Sequence, residues 1–198
     1  MIIHNHNQGT LEWFECRKGK MTASNAQAIG NSGKWLDTYI TEIMAEYFSV
    51  WEKRQYSNED IERWKELEKY ARSMYELEND CIVEEVGFCE YDEYVWCSPD
   101  WLVWEDGGVE IKSQGEIKHF KMIINGEKEI DSGYVWQIQM CLLITGRKWW
   151  DFISYNPNYK QSLIIVRIYP EKEKHDRLLA WFEYWIKKMQ EIRKIVNS

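Results

Sequence analysis

Two carboxylates and an ammonium group stand close together in one stretch of this chain, Ser98-Pro99-Asp100-Trp101-Leu102-Val103-Trp104-Glu105-Asp106-Gly107-Gly108-Val109-Glu110-Ile111-Lys112. Alternate residues of a strand share a face, so Glu110 and Lys112 point one way while Val109 and Ile111 point into a core. A three-residue hairpin loop over 106–108, with a glycine in the left-handed position, pairs Trp104 with Glu110 and puts Asp100 on the face of Glu110 and Lys112. A two-residue loop sends Asp100 to the other face unless a bulge intervenes. Hard cations such as Mg²⁺ take oxygen ligands and keep several waters, so two carboxylates hold one and leave room for a phosphate. The ion polarises a phosphoryl oxygen and acidifies water, and a nearby ammonium orients that water or stabilises developing charge. These are the parts that phosphodiester hydrolysis needs.

Other elements must hold these groups in place. Residues 10–18 read as a short helix, and Thr22 or Ser24 is placed to cap a second one through Ala28. From Asn58 to Asn79 the apolar residues Ile61, Trp64, Leu67, Ala71, Met74 and Tyr75 recur at three- and four-residue steps, the period of an amphipathic helix. Glu68 lies on that inward stripe, four after Trp64 and three before Ala71, so its carboxylate faces the protein. Residues 82–90, 94–98, 101–104 and 109–112 read as consecutive strands. A helix near 134–144 follows, then strands near 149–155 and 163–169. The last helix, 171–196, carries the stripe Leu178, Trp181, Phe182, Trp185, Met189 and Ile192. This order predicts an α/β or α+β fold in which helices flank one mixed, mainly antiparallel sheet.

A chain of 198 residues fits one domain spanning 1–198. The formal charge of −8 argues against a protein that coats nucleic acid indiscriminately, since that needs clustered Lys and Arg, but leaves room for a local basic track. Cys16, Cys81, Cys89, Cys97 and Cys141 form no CxxC pair, and His4, His6, His119 and His175 have no ligand spacing, so zinc and iron–sulfur sites are disfavoured. A reduced cytosolic protein is the expectation. The start of the chain lacks an apolar core of signal-peptide length, and no run approaches the ~20 apolar residues of a membrane span. The charged stretch 52–60 reads as an exposed loop.

Pro99-Asp100 followed by Glu110-Ile111-Lys112 resembles the PD-(D/E)xK nuclease signature. The surroundings resemble the YqaJ-like viral recombinase family, to which phage lambda exonuclease belongs. Four further blocks carry the likeness in the family's order, around a signature whose first half extends to Cys97-Ser98-Pro99-Asp100: Arg17-Lys18-Gly19-Lys20-Met21-Thr22-Ala23-Ser24, Glu68-Lys69-Tyr70-Ala71-Arg72, Trp136-Gln137-Ile138-Gln139, and Trp150-Asp151-Phe152-Ile153-Ser154-Tyr155-Asn156-Pro157. Each block alone is weak; in register they are specific.

The resemblance implies a restriction-endonuclease-like α/β core and a DNA exonuclease dependent on Mg²⁺, with Mn²⁺ able to substitute. Asp100 and Glu110 would bind the metal with the main-chain carbonyl of Ile111, and Lys112 would assist the attacking water. Glu68 would join from its helix, and Gln137 would line the site. Arg17, Ser24 and Ser98 match positions that hold the 5′-phosphate of a DNA end, implying digestion 5′ to 3′ that leaves 3′ single-stranded tails. A trimeric ring, a single-strand annealing partner protein and a phage or prophage setting in a bacterial cytoplasm come from the same resemblance.

Plainer readings stand beside these. An isolated Asp…Glu-x-Lys is what any half-exposed strand shows, and Arg17 alone is an ordinary surface charge. Gln137 and Gln139 fit satisfied core amides as well as a site lining. Trp149, Trp150 and the stripe of the last helix read as core, whereas Trp35 and Trp101 are the tryptophans to consider for stacking on bases. Two rival functions remain: an endonuclease of the same fold, and a non-catalytic module that binds DNA ends or a nuclease.

Overall fold

The computed structural model of the chain describes residues 2–31, 34–49 and 58–197. Strand β1 (Ile2–His4) leads into helix α1 (Leu11–Arg17), strand β2 (Met21–Thr22), a 3-10 turn (Ala23–Asn25) and helices α2 (Ala26–Asn31), α3 (Lys34–Phe48) and α4 (Asn58–Asn79). Strands β3 (Val83–Glu84), β4 (Phe88–Asp92), β5 (Val95–Cys97), β6 (Trp101–Val103) and β7 (Gly107–Ser113) follow. Helices α5 (Glu116–Asn125) and α6 (Ser132–Thr145), strands β8 (Trp149–Tyr155) and β9 (Leu163–Ile168) and helix α7 (Lys172–Val196) complete the order.

The fold is α/β with mixed sheets flanked by helices, but the single sheet expected from the sequence is two. Their strand orders are β1-β4-β5-β2 and β3-β6-β7-β8-β9. The stretch 82–90, expected to be one strand, divides between them: β3 pairs with β6, and β4 pairs with β1. Gly87 stands at the division, where a Cβ would lie 2.3 Å from the His6 carbonyl oxygen, so only glycine admits the passing backbone. Within the larger sheet β6 and β7 are antiparallel, β7 and β8 parallel, and β8 and β9 antiparallel. The parallel pair requires a long crossover, which α5 and α6 supply.

The two faces of this five-stranded sheet pack differently. One face, with Val109, Ile111, Trp101, Val103 and Ile153, lies against Ala71 and Tyr75 of α4. The opposite face, with Leu102, Trp150, Phe152 and Ile164, joins the larger core built with α2, α3, α6 and α7. Helix α6 is buried nearly all round, from Trp136 to Ile144, as a central helix must be. In α7 the expected stripe is in place: Leu178, Phe182, Trp185 and Met189 are buried, and Trp181 and Ile192 are partly so. The side chains of Trp35, Ile61 and Trp64, and residues 52–57 of the expected loop, lie outside the described residues.

Candidate active site

The chain crosses from the smaller sheet to the larger through Ser98-Pro99-Asp100, between β5 and β6. The β6–β7 hairpin pairs Trp101 with Val109, Leu102 with Gly108 and Val103 with Gly107, so continuation of the register sets Asp100 opposite Glu110. The loop has the expected three residues, but they are Trp104-Glu105-Asp106, and Trp104 rather than a glycine takes the left-handed φ of 47°. The expected pairing of Trp104 with Glu110 is therefore shifted by four residues. Its parity is unchanged, so Asp100 remains on the face of Glu110 and Lys112.

The shift has a steric cause. Gly107 and Gly108 belong to β7 because Trp149 and Trp150 of β8 lie over them; a Cβ there would meet those rings at 2.1 and 2.3 Å. Arg147 holds the strained loop from inside, its Nη1 donating to the carbonyls of Trp104 at 2.8 Å and Gly107 at 2.7 Å. A non-glycine residue in left-handed backbone needs such external support.

Asp100 Oδ2 accepts the backbone N–H of Ile111 at 2.6 Å, which fixes the first acid against the second acid's strand. Glu110 is 1% exposed, and its Oε1 lies 2.5 Å from Lys112 Nζ. Its other oxygen, Oε2, is buried with no hydrogen-bond partner among the described residues. A buried carboxylate oxygen without a donor is costly, so the arrangement is incomplete as an ion pair. Lys112 in turn lies over the ring of Tyr134, its Nζ 5.0 Å from the ring centre.

Electrostatics follow from this crowding. Burial, then the neighbouring Glu110, pushes the Asp100 carboxyl well above its ordinary range, with Glu68 adding to the shift and Lys112 opposing it. Burial works to lower the Lys112 pKa, yet Glu110 and Asp100 outweigh it, so the ammonium is held charged. Two carboxylates facing each other bind protons tightly unless a cation relieves them. Among the described residues no group of three His, Cys, Asp or Glu side chains is gathered as a ready metal cage. Two acids suit Mg²⁺, which retains waters, and the orphaned Glu110 oxygen gives a ligand atom; on those grounds the residues fit the ion.

A second cluster meets the Ser98-Pro99-Asp100 crossing at Ser98. Arg17 Nη1 donates to Ser98 Oγ at 3.0 Å, and its Nη2 reaches Thr22 Oγ1 at 3.4 Å. The guanidinium also lies 4.2 Å from the centre of the Trp13 ring, whose Nε1 donates to the Gly87 carbonyl at 3.0 Å. Burial lowers the Arg17 pKa, although a guanidinium stays charged. Tyr39 completes the wall by accepting the Thr22 N–H at 3.2 Å.

Of the residues singled out in sequence, Asp100, Glu110 and Lys112 come together, and Arg17 joins Ser98. Glu68 is half-buried and close enough for its charge to act on Asp100. Ser24 is exposed on the 3-10 turn, and Thr22 is the hydroxyl that meets the arginine. Gln139 is a core amide: its Nε2 donates to the Tyr169 carbonyl and its Oε1 accepts the Glu171 N–H, each at 2.8 Å. Gln137 is half-buried on α6, one turn beyond Tyr134. Trp101, considered for base stacking, is instead 2% exposed in the core, because its strand position faces α4. Tyr134, Trp13 and Tyr39 were not anticipated, and Thr22 only as a helix cap and as part of the block that follows Arg17. Tyr134 stands three residues before Gln137, a spacing that shares a helix face and marks it in hindsight.

Residues 12–148 match the YqaJ-like viral recombinase domain. The chain belongs to that family. The matched span holds Arg17, Glu68, Asp100, Glu110, Lys112 and Gln137. Among solved structures this family member is similar to an alkaline exonuclease (LHK-Exo) from Laribacter hongkongensis, at 26% identity and a TM-score of 0.79 over 95% of this chain and 98% of that one. The same enzyme in complex with dAMP aligns at 28% identity and a TM-score of 0.78, with the same coverage. A phage-related exonuclease from Haemophilus somnus 129PT shares the fold at 15% identity and a TM-score of 0.64, over 87% of this chain and 96% of that one. Comparison with curated proteins finds no match. Among the described residues no helix is long and apolar enough to cross a membrane.

Proposed function

We propose that this YqaJ-family chain is an Mg²⁺-dependent DNA exonuclease that digests linear duplex 5′ to 3′ and leaves 3′ single-stranded tails for an annealing partner protein. Its standing as a DNA-hydrolysing nuclease rests on its family and on its likeness to alkaline exonucleases. One observation carries the chemistry: a buried Glu110 whose Oε2 lacks a donor, in register with Asp100 and paired to Lys112.

Asp100 and Glu110 would hold Mg²⁺, with the Ile111 carbonyl and Glu68 as further oxygen donors, and Mn²⁺ would substitute. When bound, the ion supplies polarisation of the scissile phosphate and neutralises charge that builds there. Lys112, held charged over Tyr134, orients the attacking water and faces the developing negative charge. Gln137, on the turn after Tyr134, lines the same side. Arg17, with Ser98, Thr22 and the exposed Ser24, takes the terminal 5′-phosphate; an arginine fork with hydroxyls suits that group. A relative that holds dAMP, a deoxynucleoside monophosphate, supports mononucleotide release. Assembly as a trimeric ring that encloses the duplex would make digestion processive.

Digestion of linear and covalently closed circular duplex tests this reading. The expected result is Mg²⁺-dependent loss of linear DNA, untouched circles, and no digestion by Lys112→Ala. Cutting of circles would establish an endonuclease, and full activity of Lys112→Ala would refute the mechanism.

A further inference from the structure

A second buried carboxylate lies on the neighbouring strand and takes no part in the chemistry above. Asp151 of β8 is fully buried, yet both of its oxygens are satisfied. Arg167 Nε donates to Oδ1 and Arg167 Nη2 to Oδ2, each at 2.8 Å, and the Tyr75 hydroxyl donates to Oδ2 at 2.8 Å. The Arg167 guanidinium is further fixed 3.7 Å from the centre of the Trp149 ring. Burial first, then the Asp151 charge, pushes the Tyr75 hydroxyl far up, so it remains a donor at any working pH.

Tyr75 belongs to α4, seven residues after Glu68 and therefore on the same stripe, two turns or about 10 Å further along. Asp151 pairs with Val109, the residue next to Glu110. The Tyr75–Asp151 bond thus ties the helix that carries Glu68 to the sheet that carries Glu110, one register position from that acid and on the opposite face. Ala71 and Leu67 also pack α4 on this face, but apolar contact is non-directional and tolerates rotation or sliding of a helix. A buried hydrogen bond to a carboxylate clamped by arginine does not.

We propose that Tyr75, Asp151 and Arg167 form a positioning device that sets the rotation and depth of α4 and so presents Glu68 to the cation held by Asp100 and Glu110. The inference rests on the metal-site reading given under Proposed function. Tyr75 is a positioning residue, acting through Glu68, and touches neither substrate nor ion. Partners that orient ligands from outside a metal site commonly change affinity on the order of tenfold or more when removed.

The test is calorimetric titration of Mg²⁺ without DNA into the intact protein and its Tyr75→Phe, Glu68→Ala and double variants. Tyr75→Phe leaves Asp151 both arginine bonds, and circular dichroism melting checks that it folds. The expected result is Mg²⁺ affinity about tenfold weaker in Tyr75→Phe, with no further weakening when the change is added to Glu68→Ala. Equal weakening in both backgrounds would reduce Tyr75 to general stability, and unchanged affinity in Tyr75→Phe or in Glu68→Ala would overturn the device. An Asp100→Asn control separates the two levels: Mg²⁺ binding that survives it sinks the acid-pair reading itself.

Discussion

Glu110 and Asp151 are both buried acids, on adjacent strands β7 and β8, and their surroundings could hardly differ more. Asp151 has two arginine donors and a tyrosine hydroxyl, so its desolvation is offset in place. Glu110 has one ammonium, a second acid opposite it in register and an oxygen with no donor. A carboxylate that is satisfied stabilises the fold it sits in. One left without a donor beside a second acid is costly to bury, and under the proposed function a divalent cation would relieve both acids.

Exchanging each acid for its amide should separate the two roles. Glu110→Gln is expected to lower exonuclease activity at least about a thousandfold, the loss of a ligand and of a charge partner for Lys112, measured as release of acid-soluble nucleotides. Its melting temperature should hold or rise, since the buried charge whose Oε2 lacks a donor is gone. Asp151→Asn should do the reverse: a stability loss of about 3 kcal/mol by urea unfolding, with activity falling only with the folded fraction and any loosening of α4. Matching losses of activity and stability in both variants would erase the distinction between the sites.

Arg17 with Ser98 provides an intermediate case, a half-buried cation bonded to hydroxyls with the charge of Glu46 acting on it. Arg17→Ala is expected to reduce the preference for 5′-phosphorylated over 5′-hydroxyl duplex by about tenfold, with a smaller change in stability. Equal rates on both ends in the unaltered protein would make Arg17 a structural residue. The smallest effect concerns pH. Asp100 is raised in the fold, so its contribution to stability is complete below about 4 and is lost as pH rises through its elevated folded value. In chelator, melting temperature should therefore decline by a few degrees across that range. Added Mg²⁺ should raise it more at pH 8 than at pH 6, because the ion displaces the proton.

The shared face of Glu110 and Lys112 was legible in the sequence, and the register of the hairpin was not. Strand period alone places those two together; Asp100 joins them because the loop has three residues, one of the two counts the sequence left open. Which residues turn the hairpin depends on Trp149 and Trp150 crossing over Gly107 and Gly108 from a strand some forty residues away, and no local rule contains that. The same non-local pairing explains why the run 82–90 read as one strand although its halves join different sheets. It also explains why Trp101 read as available when it is core. Helix α6 and strand β8 were read closely because their apolar character is continuous. Helix α3 is a different kind of miss, since Leu36, Ile40, Ile43 and Met44 have helical spacing and are all buried. Glu68 was legible as an inward residue; the bond from Tyr75 to Asp151 that orients its helix joins residues far apart in the chain and has no local signature.

In the proposed site Glu110 is left unsatisfied for a divalent cation, and calorimetric titration of Mg²⁺ into the intact protein and into Glu110→Gln puts that role to the test. Binding accompanied by proton release in the first and lost in the second is the expected result. Equal Mg²⁺ affinity in the two proteins would contradict it.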